Sequence, residues 1–320
     1  MDLIYMNDAR EDLGVLHDYK LDMAYGAAEN DFELRVPVSA HTCTGGFFVY
    51  ADGTEYGGIV DDVQSDTAAQ EVAYTGRTWH GLLNSKILEP DAGADYLVLT
   101  GEANAVICAL LARVGLTDLF EASADDSGLV IKSYQMNRYI PAYDGIRKML
   151  ATVKGKLLFT FSGGKVRLAA HPRGEYAQNG EIDADLVAFK ARKYYRPVNH
   201  LICLGRGELA AREVLHLYVD ASGQISRTQT FFGLDERTEV YENTNAESLE
   251  ELEREGVDQL TERALGDEIE VIFDAEDDQY DVQDIVSAAD NVTGLVATAE
   301  IVKKIVVVEN GQATISYEVG

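Results

Sequence analysis

Cysteine is scarce in this 320-residue chain, and basic residues are outnumbered two to one by acidic ones. The three cysteines, Cys43, Cys108 and Cys203, are odd in number and far apart, and two of them sit in the apolar runs AVICALL and HLICLG. That pattern argues against a disulfide framework or a thiolate metal site and predicts buried free thiols. No stretch approaches the roughly 20 apolar residues that cross a bilayer. The opening MDLIYMNDARED has neither the basic start nor the apolar core of a signal peptide, so a soluble protein made in a cytoplasm is expected. His17, His41, His80, His171, His200 and His216 show no HExxH or other ligand spacing, and no metal is expected. A Gly-x-Ser-x-Gly elbow is also missing, which leaves no sign of acyl transfer. Gly205-Arg206-Gly207 lacks the third glycine and the βαβ unit of a phosphate loop and reads as a strand bend. No enzyme and no cofactor are expected.

What the chain does have is apolar content, at 46% with 9% aromatic, enough for two or three packed domains. Its net charge of −28 is unevenly placed. Residues 233–290 carry 21 acidic against 3 basic side chains, whereas residues 132–227 carry 16 basic against 8 acidic. Solvated faces are the plain explanation of such runs, and mutual steering of neighbouring copies is the sharper one. An acidic chain repels phosphate, so nucleic-acid binding is disfavoured. The run KARKYYR, Lys190 to Arg196, is the one candidate patch, with Tyr194 and Tyr195 as stacking groups or simply a strand start before Pro197. AEDDQYD, Ala275 to Asp281, is the densest acidic cluster. It reads as a solvated loop, with weak calcium binding next and a glycosidase-like carboxylate pair still open.

The first 90 residues read as strands, in DFELRVPV, GGFFVYADGTEYGGIVDDV and AQEVAYTGR, with Asp52-Gly53 as a turn. A short helical turn over Trp79 to Leu83 follows, its tryptophan a core anchor or else an intersubunit anchor. EANAVICALLARVG predicts a helix ending at Gly115, and Ala142 to Val153 a second one after Pro141. KLLFTFSGGKVRLAAHP reads as a hairpin. Further strands precede a helix over Ala246–Ala264, which Gly256 weakens by about 1 kcal/mol. Strands return to the end, with Asn310-Gly311 as the strongest hairpin signal. The expected class is mixed α+β, mainly β: a first barrel-like domain over 1–95, an α+β domain over 96–195, and a second barrel-like domain over 196–320 with the helix inserted near 246–264.

Four stretches carry a resemblance to a known family. NDFELRVPV with EYGGIVDDV is similar to an opening barrel. In YTGRTWHGLLNSKILEP, the residues Thr75, Gly76, Arg77, Trp79, Gly81, Leu82, Leu83, Lys86, Ile87 and Pro90 follow a Thr-Gly-Arg, Gly-Leu-Leu, Lys-Ile-x-x-Pro pattern. NHLICLGRGELAAREVLHLYVDASGQI supplies Gly205, Gly207, Glu208, Leu209, Arg212 and Tyr218. The tail segment from Tyr280 carries Asp284-Ile285-Val286, where Gln283 stands in place of a frequent glycine. Together, and in this order, they resemble the siphophage and prophage tail hub proteins. These form the amino-terminal part of tail-associated lysins and adsorption proteins and are related to the hub of contractile-tail baseplates.

The resemblance implies a structural subunit with two barrels, three copies of which present six to a sixfold tail tube. It implies partners of three kinds: further copies in a homotrimer, a distal tail or tube protein, and a tip, spike or receptor-binding protein. No nucleic acid and no membrane insertion are implied, and the expected location is the virion tail. Relatives can carry a wall-degrading module after the hub, for which this chain, ending at YEVG, leaves no expected room. A host-carbohydrate-binding tail module is the alternative reading.

Overall fold

The computed structural model describes residues 1–177, 187–192, 197–264, 268–273, 279–289, 294 and 296–320. Its first strands are β1 (Leu3–Met6), β2 (Asp12–Leu16), β3 (Lys20–Gly26), β4 (Asn30–Pro37), β5 (Phe48–Tyr50), β6 (Gly57–Asp66) and β7 (Glu71–Thr78), leading into helix α1 (Trp79–Asn84). Next come β8 (Ile87–Leu88), β9 (Leu97–Glu102), α2 (Ala103–Arg113), β10 (Phe120–Ala122), β11 (Val130–Met136), β12 (Ile140–Pro141), α3 (Ala142–Ala151), β13 (Gly155–Ser162), β14 (Lys165–Pro172), β15 (Glu175–Ala177) and β16 (Val187–Arg192). The remainder holds β17 (His200–Leu204), β18 (Val214–Val219), β19 (Ile225–Ser226), β20 (Thr238–Glu242), α4 (Leu249–Ala264), β21 (Glu268–Phe273), β22 (Ile285–Ala289), β23 (Val296–Glu309) and β24 (Gln312–Val319). Two compact units result. One is Met1–Ala188 with Val271–Ala289 and Val296–Gly320; the other is Phe189–Glu270 with Asp290–Leu295.

The first unit is organised by a sheet of order β15-β22-β23-β3-β4-β7-β6-β5-β1-β2, with β24 on the other side of β23. Period-two alternation sets its faces: Phe32, Leu34 and Val36 point inward from β4 while Asp31, Glu33 and Arg35 point out. Register carries that row across the sheet, pairing Leu34 with Leu21 and Tyr74, and Met23 with Phe32 and Val306. The path is open among the described residues, so the expected barrels are not closed. Long-range pairing extends the sheet: β23 offers Val306 and Val308 to the inward row of β3, which joins the last strands of the chain to the first ones. A slip of one residue would turn those valines to solvent.

Under this sheet α1, α2, α3, β13 and β14 share one core with Trp79, Ile107, Ile146, Phe159 and Phe161. The glycine hairpin forms as expected, with Gly163 and Gly164 both at positive φ, and Asn310-Gly311 does the same between β23 and β24. Of the three cysteines, Cys43 and Cys203 are buried, but Cys108 is exposed. The apolar run AVICALL winds around α2, and Val106, Ile107, Leu110 and Leu111 take its inner stripe, so Cys108 falls on the outer side.

In the second unit α4 lies on one face of a sheet of order β19-β18-β17-β20. Leu252 and Leu260 meet Leu201, Cys203, Leu215 and Leu217 there. Ser248 Oγ accepts from Glu251 N at 3.2 Å, which caps the helix and starts it at Leu249, three residues after the expected Ala246.

Candidate functional site

The Thr75–Pro90 stretch carries the strand β7 into α1 and back toward α3. Thr75 and Gly76 lie on β7, opposite Glu33 and Phe32 of β4. A Cβ on Gly76 would stand 1.9 Å from the Ile59 carbonyl oxygen, and one on Gly81 would stand 2.1 Å from that of Asn30, so backbone passes where a side chain would be. Arg77 grips Asp61, with Nε and Nη2 each donating at 2.7 Å, and its Nη1 reaches Ser85 Oγ at 3.1 Å. Thr78 caps α1 by accepting from Gly81 N at 3.2 Å. Trp79 is fully buried and stacks on Phe161 at 5.1 Å, with Gly57 against the indole, as a core anchor. Leu83 is buried and Leu82 packs on the same core. At the exit, Ile87 is exposed, Leu88 pairs with Ile140, the Lys86 carbonyl accepts from Ala142 N at 2.7 Å, and Pro90 is partly buried.

Of the charged groups buried in this unit the sequence patterns singled out Asp284, but not Lys304, Glu55 or Lys156. Lys304 occupies an inward position on β23, and its Nζ donates to Glu55 Oε1 at 2.8 Å. His80 lies flat on Tyr25 at 4.1 Å, and burial first, then Lys304 and Arg147, hold its imidazole well below the usual range, that is, neutral. Its 3.9 Å approach to Glu55 is therefore no charge pair. Asp284 is the centre of a second buried node. It accepts from Lys156 Nζ at 2.9 Å, from Gly174 N at 2.5 Å and from Asp281 N at 2.9 Å, and Asp281 also pairs with Lys156. Burial pulls the Lys156 ammonium down, but the two carboxylates outweigh it and raise its pKa. Gln283, the departure from the family pattern, has φ +82°, the conformation that glycine accepts most easily, and its Nε2 donates to the Arg147 carbonyl at 3.0 Å.

In the second unit Gly205 and Gly207 belong to the β17–β18 hairpin loop, not to a phosphate loop before a helix. Gly205 N donates to the Glu213 carbonyl at 2.8 Å, the Glu208 carbonyl accepts from Ala211 N at 3.0 Å, and Arg212 pairs with Glu242. A Cβ on Gly207 would lie 2.4 Å from the Ala211 carbonyl oxygen. Tyr218 stacks on His200. Among the described residues no group of three or more His, Cys, Asp or Glu is arranged to hold a metal ion, and no helix is long and apolar enough to cross a membrane. Lys193–Arg196 of the basic run, with Tyr194 and Tyr195, and residues 275–278 of the acidic loop lie outside the described residues.

The sequence-singled residues thus fall at close backbone approaches, caps and ion pairs rather than converging on one pocket. No protein-family model and no curated protein matches the chain. The solved structures similar to it, each at low identity, include the following three. One is a prophage tail protein from Listeria monocytogenes, at 12% identity over 99% of this chain and 94% of that one, with a TM-score of 0.48. Another is the 43 kDa tail protein of prophage MuSo2 from Shewanella oneidensis, at 12% identity over 100% and 98%, with a TM-score of 0.45. The third is a tail protein from Neisseria meningitidis, at 10% identity over 99% and 96%, with a TM-score of 0.43.

Proposed function

We propose that this chain is a structural subunit of a phage or prophage tail, acting as a hub that links the end of the tail tube to a tip, spike or host-binding component. The observation that carries the reading is the Thr75–Pro90 pattern. Its residues resemble the tail hub pattern in order; Gly76 and Gly81 at backbone crossings and Trp79 in the core occupy positions where substitution is costly, and Arg77 ties the β6 bulge to β7 through Asp61. Such residues set a shape, and shape is what a hub supplies. In this reading three copies close a ring, and the acidic 233–290 segment of one copy meets the basic 132–227 segment of the next. The motif residues have a structural role, and the protein has no catalytic activity.

Light scattering on the purified full chain, over a range of concentration and at low and high salt, tests this. A trimer that weakens as salt rises supports the ring and its charge pairing. A strict monomer that also fails to form rings when mixed with purified tail tubes would overturn the hub reading. Saturable binding of host-wall polysaccharide by that monomer would instead favour a carbohydrate-binding tail module.

A further inference from the structure

Two histidines sixteen residues apart meet on the face of the second unit's sheet that α4 leaves uncovered. Leu201, Cys203, Leu215 and Leu217 point toward the helix, so His200 and His216 point the other way. His200 Nε2 and His216 Nδ1 stand 2.8 Å apart. The other ring nitrogen of His200, Nδ1, is 2.7 Å from Glu236 Oε1 and 2.9 Å from Thr238 Oγ1. Tyr218 stacks on the same ring at 4.3 Å. The His200 side chain is 9% exposed and clamped on three sides, whereas His216 is exposed.

An ionised carboxylate only accepts, so Glu236 fixes the hydrogen of His200 on Nδ1. In the neutral ring Nε2 then presents a lone pair to His216, and a single hydrogen joins the two imidazoles. A carboxylate behind one imidazole nitrogen, with a lone pair on the other, is the arrangement that orients metal-ligating histidines and raises their basicity.

We propose that His200 Nε2 and His216 Nδ1 form a two-imidazole site for one borderline divalent cation such as zinc or copper(II), completed by water. Imidazole pairs favour these ions over calcium or magnesium, which select oxygen ligands. Two nitrogens on a tetrahedral ion at about 2.0–2.1 Å stand roughly 3.3 Å apart, so the pair opens by about 0.5 Å. The exposed His216 ring supplies that movement, and its hydrogen passes from Nδ1 to the outward Nε2, so the neutral pair binds without losing a proton. Glu236 is a positioning residue. The two ligands lie on neighbouring strands, and the His216 ring is exposed among the described residues.

The test uses the full chain, freed of any histidine tag and stripped with chelator, titrated with zinc chloride by calorimetry in the presence of excess magnesium. One saturable zinc per chain is expected, with at least a tenfold loss of affinity in His216→Ala, whose exposed position leaves the fold intact. Glu236→Gln is expected to keep the stoichiometry and lose 10- to 100-fold in affinity. Copper(II) in the same protein is expected to show two imidazole nitrogens by electron paramagnetic resonance, and one in His216→Ala. No saturable zinc binding, or binding unchanged in His216→Ala, would overturn the site and leave a purely hydrogen-bonded histidine pair.

Discussion

Asp61 is the extra residue of a β-bulge, and its carboxylate closes on Arg77 of the opposite strand. The ladder shifts between Val60 and Asp62, and the unpaired residue turns its oxygens to Nε, Nη2 and the backbone N–H of Arg77 at 2.7, 2.7 and 3.1 Å. Arg77 holds the Asp61 carboxyl below its ordinary range against the opposing effect of burial. A depressed carboxyl pKa gives stability that is present above the unfolded value and lost as pH falls through the folded one. Both side chains are more than a third exposed, so solvent screening leaves about 0.5 kcal/mol. Asp61→Asn is expected to lower the thermal midpoint slightly at neutral pH, with the deficit shrinking as pH falls below the ordinary carboxylate range. A deficit unchanged in acid would assign the effect to the bulge itself.

Gly76 faces the same bulge from the other strand. An added methyl meets the Ile59 carbonyl oxygen, and backbone cannot step aside as a flexible side chain can. Gly76→Ala is expected to cost about 3 kcal/mol, visible as loss of soluble protein or a much lower denaturant midpoint. A near-neutral result would mean that β6 and β7 separate freely here.

Lys304 and Glu55 form a pair in which the lysine side chain is only 2% exposed. Glu55→Gln takes the carboxylate from this nearly buried ammonium and is expected to destabilise by about 3 kcal/mol. The double variant Glu55→Gln/Lys304→Met is expected to recover most of that loss, because the buried ammonium leaves with its carboxylate. Chemical denaturation of the three proteins decides it; additive losses would show that the pair is not coupled.

At Gln283 the backbone prefers glycine. Gln283→Gly and Gln283→Val both lose the bond to the Arg147 carbonyl, so the difference between them isolates the conformation. The valine variant is expected to be less stable by about 2 kcal/mol, as a β-branched residue is forced to φ +82°. Equal stabilities would show that the turn relaxes.

The cysteines divide by accessibility. Burial pushes the Cys203 thiol up to about 11 and raises that of Cys43 as well. A maleimide at mildly alkaline pH is expected to modify Cys108 alone in the folded protein, and all three cysteines after denaturation, as read by intact mass.

Local features of this chain were legible in its residues: the hairpins at Gly163-Gly164 and Asn310-Gly311, the helices after Pro141 and up to Gly115, and Trp79 as an anchor. Each depends on a few neighbouring residues, through turn geometry or the spacing of apolar positions, and that information is written in order along the chain. Other features depend on partners far away. Gly256 reads as a flaw in α4 until Cys203 Sγ is found 2.6 Å from where its Cβ would lie, which makes the glycine the condition for close helix–sheet packing. Lys304 interrupts an apolar row, and its partner Glu55 is 249 residues away. His200 and His216 lack ligand spacing in the sequence, yet hairpin register brings them to 2.8 Å. The joining of β23 to β3 was likewise hidden, because several strands carry the same alternation and periodicity says which face is buried, not which neighbour buries it. Sequence alone determined the elements and their inner faces; the choice among equivalent partners belonged to tertiary packing, where volume, register and charge must be satisfied together.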